Sequence, residues 1–188
     1  QVSKRAEELD PSSDHVVLVN ASHPGNVGTA IRSLVAFGFR DLALVTEPRS
    51  APVAERRSAA EPAHEPSGVD PWGAYVVRAS VGLRFALRCQ SFPSLASYLA
   101  QHGRGRQLYL LDADGERELP TVEFVGPFAL VFGPEWQDAS HTPSWTAGVK
   151  VPDESISVKI PIHRQVESLN LATSVSIAAY QARRSDQV

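Results

Sequence analysis

The sequence predicts an α/β fold with a mostly parallel sheet flanked by helices, and three features indicate it. In the strand predicted at 15–20, the residues at 16–19 are apolar or β-branched without alternation, which is typical of a strand buried on both faces. A glycine-containing turn, a helix to about Phe37 and a second apolar strand at 41–45 follow, and this order is that of a parallel βαβ unit. Further strands are expected at 106–111 and 128–132.

The remaining elements are assigned from the residues that interrupt or end them. Gly38 is expected to end the first helix, because glycine readily adopts the left-handed conformation found there. Residues 46–71 contain five prolines and predict a surface loop with one short helical piece at 53–60. The other expected elements are helices at 72–83, 92–102 and 171–184 and a last strand at 157–160. We expect a linker at 1–14 and one domain over 15–188.

Composition is that of an ordinary globular protein, since 43% of the 188 residues are hydrophobic and 21% are charged. The formal net charge of -3 does not indicate a nucleic-acid binder, for which a basic domain is the usual footprint. Any RNA contact therefore requires a local patch. Clustered arginines are one candidate for such a patch, although charged runs are commonly only solvated surface. The clustered residues are Arg78, Arg84, Arg88, Arg104 and Arg106.

The cysteine content predicts a cytoplasmic protein. The single cysteine, Cys89, cannot form an internal disulfide, which fits a reducing compartment. No apolar run approaches the length of a membrane span, and the first residues do not resemble a secretory signal. Because the chain contains no methionine, even at position 1, we expect it to follow a removed segment, with a missing upstream domain as one alternative.

Three predicted strands end in polar or glycine-containing turns, at 20–28, 132–138 and 161–170. In open α/β sheets, ligands bind outside the carboxyl ends of the strands. We therefore expect the three turns to build one site.

In the first turn, Asn26 is expected at the N-cap of the helix, and Arg32 follows six residues later. Six residues rise about 9 Å along a helix. Helical side chains lean toward the N-terminus, however, so Arg32 can bring its guanidinium near Asn26. The alternative is an exposed surface arginine. A nucleotide-binding oxidoreductase is disfavoured because the turn lacks both the G-x-G-x-x-G spacing and a Walker lysine.

The third turn places polar side chains at the start of the last helix, where unpaired amides and the helix dipole favour a polar or anionic ligand. Ser168 is a candidate for this role, and its alternative is an N-cap only. The helix at 171–184 carries a wide apolar surface and several small residues. We expect it to pack on the sheet and on a second surface, for which a partner subunit is a candidate.

The three turns contain His-Pro-Gly-Asn-Val-Gly-Thr-Ala-Ile-Arg at 23–32, Ala-Leu-Val-Phe-Gly-Pro-Glu at 129–135 and Ile-Pro-Ile-x-x-x-Val-Glu-Ser-Leu-Asn at 160–170. In this order they resemble the motifs of the SpoU/TrmH-type RNA ribose methyltransferases of the SPOUT superfamily. The resemblance spans about residues 15–184. It implies a C-terminal deep trefoil knot, a homodimer, S-adenosyl-L-methionine as cofactor, and methyl transfer to a ribose 2′-hydroxyl of tRNA or rRNA.

Position by position, the resemblance implies catalytic-site roles for Asn26, Arg32, Glu135, Ser168 and Asn170. It implies that Val131, Phe132, Gly133, Ile160, Ile162 and Leu169 form the cofactor pocket. Guanidinium stays protonated in proteins, so we favour a role in which Arg32 binds a phosphate or the developing alkoxide. His23, His163 and Glu167 are alternative bases. No spacing of His, Cys and carboxylate residues indicates a metal site.

Two positions depart from the family pattern, because Asp138 and Arg164 stand where family members often have glycine. A cation at position 164 is expected to contact RNA phosphate or the cofactor carboxylate, or else to obstruct cofactor binding. The alternative function is therefore a noncatalytic RNA-binding member of the family with weakened cofactor binding.

Overall fold

The computed structural model describes residues 7–46, 68–134 and 151–184. Its strands are β1 (His15–Val19), β2 (Asp41–Val45), β3 (Arg88–Phe92), β4 (Gln107–Leu111), β5 (Arg117–Glu118), β6 (Phe128–Phe132) and β7 (Ile156–Lys159). Its helices are α1 (Pro24–Ala36), α2 (Ala74–Ala79), α3 (Leu95–His102) and α4 (Leu171–Arg184), with 3₁₀ turns at Leu83–Ala86 and Leu119–Thr121. Within the described ranges the strands form one seven-stranded parallel sheet in the order β3-β2-β1-β6-β4-β7-β5. The predicted α/β class is confirmed.

Helices cover both faces of the sheet, and the alternation along each strand decides which layer a side chain meets. Val16 and Leu18 of β1 belong to the core formed with α1 and α4. Val17 and Val19 belong to the core formed with α3. Every residue of β1, β2 and β6 is buried, which explains why these strands are almost continuous apolar runs.

Helices α1 and α2 approach each other closely at Gly28. A Cβ on Gly28 would lie 2.4 Å from the Cβ of Ala79, so a larger residue requires the helices to separate. The helix expected over 72–83 ends at Ala79, because Val81 and Gly82 adopt the left-handed conformation, with φ of 54° and 78°. The first helix ends as predicted, with Gly38 at φ 81°.

Strand β3 and helix α3 differ from the prediction. The sequence of β3, Arg-Cys-Gln-Ser-Phe, lacks a clear pattern because β3 pairs with β2 at the edge of the sheet and is only partly buried. Helix α3 begins at Leu95 rather than near Phe92, because Ser94 forms a capping box with Ser97. The helical piece expected at 53–60 and the irregular segment expected at 136–150 lie outside the described residues.

Three of the clustered arginines are bound within the fold. Arg88 donates to both carboxylate oxygens of Asp41, at 2.7 and 2.5 Å. Arg84 is fully buried and pairs with Glu7 at 3.0 Å. Arg106 is 5% exposed and donates to four backbone carbonyls, those of Pro11, Ser13, His102 and Phe128. Arg84 and Arg106 are therefore not available to RNA, and the charge of the partly exposed Arg88 is paired with Asp41, whereas Arg78 and Arg104 are exposed.

Residues 7–14, expected to form part of a linker, lie against the edge where the strands begin. Leu9 is 3% exposed. The Asp10 N–H donates to the carboxylate of Asp41 at 2.9 Å, and Asp14 accepts from Arg183 of α4 at 2.8 Å. Burial and charged hydrogen bonds thus attach this segment to the domain.

Strand β7 lies between β4 and β5, although residues 112–116 alone join those two strands in sequence. Residues 112–116 contact β7 directly where they pass it. The Asp112 N–H donates to the Val158 carbonyl at 2.9 Å, and a Cβ on Gly115 would lie 2.3 Å from the carbonyl carbon of Val158. Glycine at position 115 therefore permits the C-terminal segment to pass against the connection.

The longest described helices, α1 and α4, contain 13 and 14 residues. About 20 apolar residues are needed to cross a bilayer as a helix. Among the described residues, no helix combines the length and apolarity required for that crossing.

Candidate active site

The three polar turns begin at one edge of the sheet, where β1, β6 and β7 end. In register, Phe132 pairs with Leu18 of β1 and with Leu111 of β4, and Leu111 pairs with Val158 of β7. Because the strands are parallel, the segments that follow them emerge at the same edge. The structure thus brings the first turn, the third turn and the described start of the second, as far as Pro134, to one edge, as the sequence predicted.

Helix α1 begins earlier than expected, with His23 rather than Asn26 at its N-cap. The Gly25 N–H donates to Nδ1 of His23 at 3.2 Å, and the Asn26 N–H donates to the His23 carbonyl at 3.0 Å. Pro24 favours this start, because its fixed φ suits the first helical position and its missing N–H is not needed there. The N-cap prediction for Asn26 is therefore wrong, and Asn26 lies inside the first turn.

Asn26 and Asn170 join the first turn to the third. Nδ2 of Asn170 donates to Oδ1 of Asn26 at 3.0 Å. Oδ1 of Asn170 accepts from the backbone N–H groups of Ala172 and Thr173, at 2.9 and 3.4 Å, so Asn170 caps α4. These two backbone bonds fix the orientation of the amide and direct its NH₂ group to Asn26. The N-cap interpretation of Ser168 is therefore wrong.

A second contact between α1 and α4 holds the two turns in register. The hydroxyl of Ser176 donates to the Ala172 carbonyl at 2.6 Å. Since its proton is used there, Ser176 accepts from the hydroxyl of Ser33, which lies 2.6 Å away. Farther along, the rings of Phe37 and Tyr180 meet edge to face with centroids 5.7 Å apart. The second surface expected against α4 is thus at least partly α1, and sequence reasoning had missed the serine pair.

Arg32 lies on the exposed side of α1 and forms no hydrogen bond or ion pair with the described residues. Around the helix axis, Arg32 lies about 40° from Gly28, which faces α2. Arg32 also points well away from Ser33, which faces α4. The guanidinium is consequently available to an anionic ligand. The structure does not join it to Asn26 by a hydrogen bond.

The residues predicted to hold a cofactor fall into two groups. Val131 and Phe132 are 0% and 3% exposed in β6, so they can meet a ligand only through their backbone at the strand end. Gly133, Ile160 and Leu169 are half-buried, and Ile162 is exposed. Apolar side chains beside strand-end backbone groups suit an adenosyl group, which needs both an apolar contact and hydrogen-bond partners.

The loop between β7 and α4 is exposed from Pro161 to Ser168. His163 organises a turn within it, since its carbonyl accepts from the Val166 N–H at 2.9 Å and its Nδ1 from the Gln165 N–H at 3.4 Å. His163 thus has a local structural contact. Arg164 and Ser168 are exposed on this loop.

The second turn is described as far as Pro134. Glu135 and Asp138 lie outside the described residues, so the roles inferred for them stay predictions. In the part of the chain that the structure describes, no group of His, Cys, Asp or Glu side chains is arranged to hold a metal ion.

Among the described residues, those with strongly displaced pKa values lie away from the three turns. Burial lowers the pKa of His15, at the start of β1, to about 4, and the charge of Arg106 acts in the same direction. Burial raises the pKa of the Cys89 thiol to about 12. The neutral imidazole and the un-ionised thiol lie at the edge where the strands begin, opposite the site, and do not serve it.

The parallel sheet and the joined turns at its carboxyl edge define an α/β protein of the class that binds a ligand at strand ends. Solved structures with this fold include RNA methyltransferases. One, described as giving structural insights into the 2-OH methylation of C/U34 on tRNA, superposes with a TM-score of 0.64 at 26% identity, covering 94% of this chain and 97% of that chain. The SpoU methyltransferase AviRb from Streptomyces viridochromogenes, in complex with AdoMet, gives a TM-score of 0.69 at 23% identity, covering 95% and 62%.

The model of the SpoU rRNA Methylase family matches residues 62–180, which is more than half of the chain, and the protein belongs to this family. The tRNA (cytidine/uridine/adenosine-2′-O-)-methyltransferase TrmJ of Pseudomonas aeruginosa is 31% identical over 177 residues, covering 89% of this chain and 59% of TrmJ. An uncharacterized tRNA/rRNA methyltransferase of Synechocystis sp. is 30% identical over 173 residues, covering 90% of this chain and 52% of the relative. The chain spans little more than half the length of these relatives. The resemblance drawn from the three motifs is confirmed.

Proposed function

We propose that the protein is an S-adenosyl-L-methionine-dependent RNA methyltransferase that methylates a ribose 2′-hydroxyl of tRNA or rRNA. The observation that carries the proposal is the hydrogen bond from Asn170 to Asn26, which joins the first and third motifs at the carboxyl edge. Arg32, on the same helix as Asn26, is exposed and has no hydrogen-bond or ion-pair partner among the described residues. Family membership and a relative named as a 2′-O-methyltransferase support the same reaction.

The chemistry supplied by bound S-adenosyl-L-methionine is an electrophilic sulfonium methyl group. The chain would hold it through the backbone at 131–133 and through the side chains of Ile160, Ile162 and Leu169. What remains for the protein is to align the ribose oxygen with this methyl and to assist loss of the hydroxyl proton. Alignment alone contributes roughly 7 to 11 kcal/mol to rate enhancement in favourable cases.

Arg32 is proposed to act as a permanent cation. A guanidinium is not a base at neutral pH, but it stabilises negative charge that develops on the ribose oxygen and binds the adjacent phosphate. Its exposure and its lack of a partner among the described residues support this role. The same field lowers the pKa of the hydroxyl, because it favours the charged form.

The remaining motif residues are proposed to orient the reactants. Asn170 and Asn26 position each other and hold the loop at 160–170 against α1. Ser168 is exposed on that loop, and we propose that it contacts the sugar or the cofactor. Glu135 is proposed to complete this polar network from the second turn.

A C-terminal trefoil knot is part of the proposal. It is supported by the position of β7 between β4 and β5 and by the close passage of Gly115 across Val158. A segment that inserts between two strands already joined by a short connection must pass beside that connection. Threading of the C-terminal segment accounts for this arrangement.

We also propose a cytoplasmic homodimer. Four apolar side chains near the third motif and on α4 are exposed, namely Ile162, Val166, Ile177 and Tyr180. Such residues favour burial against a second copy. The buried, unpaired Cys89 agrees with a reducing compartment.

Calorimetry and methyl incorporation test the function together. The protein should bind S-adenosyl-L-methionine and transfer a labelled methyl from it to unfractionated tRNA or rRNA, and nuclease mapping should place the label on a ribose 2′-oxygen. RNA binding without heat from the cofactor would instead establish the noncatalytic alternative. The exposure of Arg164 supports catalysis, because this side chain does not occupy the interior beneath the loop.

A further inference from the structure

Helix α2 presents an exposed aromatic ring beside the first turn of the site. Tyr75 is 54% exposed, and its Cε1 lies 3.4 Å from the place that a Cβ on Gly25 would occupy. Gly25 directly precedes Asn26, which is hydrogen-bonded to Asn170. The ring of Tyr75 therefore stands at the same helix start as the residues that join the first and third motifs.

An exposed cation accompanies this ring. The Cζ atom of Arg78 lies 5.8 Å from the centroid of Tyr75, one helical turn away. This separation is near the outer limit of a cation–π contact, so the guanidinium stands beside the ring without closely covering it. Among the described residues, no carboxylate pairs with Arg78. We call Tyr75 and Arg78 the Tyr75 platform.

The Tyr75 platform is rigidly mounted on the domain. Val76 is 1% exposed and Ser80 is fully buried on the inner side of α2. The Ser80 hydroxyl donates to the Val77 carbonyl at 3.0 Å and accepts from the Arg84 N–H at 3.3 Å. The close approach between Gly28 and Ala79 also holds α2 against α1. These contacts fix the rotation of α2 and hold the aromatic ring and the cation outward.

We infer that the Tyr75 platform binds a nucleotide of the RNA substrate that flanks the methylated ribose. Tyr75 stacks on an unpaired base and Arg78 binds a neighbouring phosphate. This inference rests on the proposed function. RNA is favoured over a protein partner because an exposed ring beside an arginine that pairs with no described carboxylate matches a base and its phosphate, which are recognised by stacking and by charge. Arg32 lies on α1, against which α2 packs, and is a second exposed cation.

Fluorescence anisotropy with two probes tests the inference, namely a 5′-fluorescein-labelled 12-nucleotide oligouridylate and unfractionated tRNA. Tyr75→Ala should weaken binding of both probes about tenfold, since one base–aromatic stack is lost. Tyr75→Phe keeps the ring and should bind within about twofold of wild type. Phe85→Ala is the matched control, because Phe85 is an equally exposed aromatic (59%) that packs on Trp72, and it should leave binding unchanged.

The salt dependence separates the two members of the platform. Arg78→Gln should reduce the slope of log affinity against log salt by about 0.7, the value for one phosphate contact on a single strand. Tyr75→Ala should leave that slope unchanged, and Arg78→Lys should restore it. A merely structural role of Arg78 would not produce this pattern.

The outcomes distinguish this inference from the proposed function. In one outcome, wild-type protein methylates RNA and Tyr75→Ala binds both probes as well as wild-type protein does. This result overturns the platform alone and leaves the ring as a protein contact. Equal losses in Tyr75→Ala and Phe85→Ala overturn the placement of the base at Tyr75. Wild-type protein that binds neither probe overturns the platform and the RNA substrate together.

Discussion

The side-chain amide of Asn170 donates to that of Asn26 at 3.0 Å, although 144 positions separate the two residues. The same amide caps α4 through its oxygen. One side chain therefore caps the last helix and contacts the first turn of the site. The effect of Asn170 on stability can be separated from its effect on positioning, because a shorter capping residue still caps α4 but does not reach Asn26.

Asn170→Ser should separate these functions. Serine caps helices about as well as asparagine, so the free energy of unfolding should change by less than about 0.5 kcal/mol. The shorter side chain cannot reach Asn26, and loss of this bond should lower methyl transfer about five- to tenfold. Urea unfolding and methyl incorporation into tRNA measure the two effects.

Asn170→Ala is the matched control for this pair of measurements. It removes the cap as well and should cost about 1 kcal/mol of stability. An Asn170→Ser variant with full activity would show that the bond to Asn26 does not position the reactants.

Arg32→Lys tests whether the geometry of the guanidinium matters. Lysine keeps the charge but not the planar fork, so methyl transfer should fall about 100-fold if Arg32 faces the developing alkoxide. The melting temperature should not change, because Arg32 is exposed and makes no hydrogen bond or ion pair with the described residues. Single-turnover rates at saturating cofactor give the measurement.

Arg104→Lys controls for the loss of an exposed arginine elsewhere on the surface. It should retain wild-type rates. Arg32→Lys with wild-type turnover would exclude a role for the guanidinium fork and leave only its charge.

The sequence contained enough to predict the fold and the convergence of the turns, because both depend on local pattern. The continuous apolar runs of β1, β2 and β6 predict buried parallel strands, and polar residues at their ends must then share an edge. The sequence placed Asn26 and Asn170 in one site but did not predict the hydrogen bond that the structure shows between them. The edge strand β3 was missed, because one open side leaves it without a burial pattern.

Side-chain partners across the fold were not predictable in the same way. Arg88 and Arg106 appear in sequence as part of a basic cluster, yet Asp41 and backbone carbonyls bind them. Only the sheet register brings these groups together. The start of α1 was misplaced for a local reason, because His23 caps it through its ring and Pro24 occupies the first position.

Gly28→Ala should destabilise the protein, although glycine to alanine at an unconstrained helical position is stabilising by up to about 1 kcal/mol. The added methyl would lie 2.4 Å from the Cβ of Ala79, so α2 must move. Overpacking of this kind costs about 1 to 3 kcal/mol. Chemical denaturation measures the loss, and RNA binding should weaken as well because α2 carries Tyr75.

Ala79→Gly provides the rescue for this variant. In the double variant the 2.4 Å contact with the Cβ of Ala79 is removed, while the backbone N of Ser80 and O of Val76 still lie 3.0 Å from the added methyl, so part of the stability lost in Gly28→Ala should return. Additive effects of the two substitutions would show that the contact between α1 and α2 is not the cause.

The pH dependence of stability should be governed in part by His15. Its imidazole is buried, Nδ1 lies 3.0 Å from the Tyr98 hydroxyl and Nε2 lies 2.8 Å from the Asp10 carbonyl. Burial and the charge of Arg106 lower its pKa from 6.5 to about 4, while Asp41 opposes the shift. The unfolded chain therefore binds a proton more readily than the folded chain between these values.

Stability from His15 should accordingly be fully present above pH 6.5 and be lost as the pH falls toward 4. The shift corresponds to about 3 kcal/mol over that window. His102 adds a loss of the same sign, because burial also lowers its pKa. Urea unfolding at a series of pH values measures the slope, which should be shallower in His15→Gln and unchanged in His163→Gln, whose imidazole is exposed. A His15→Gln slope equal to that of wild type would show that another buried group controls the acid response, because the proton taken up on unfolding must then bind elsewhere.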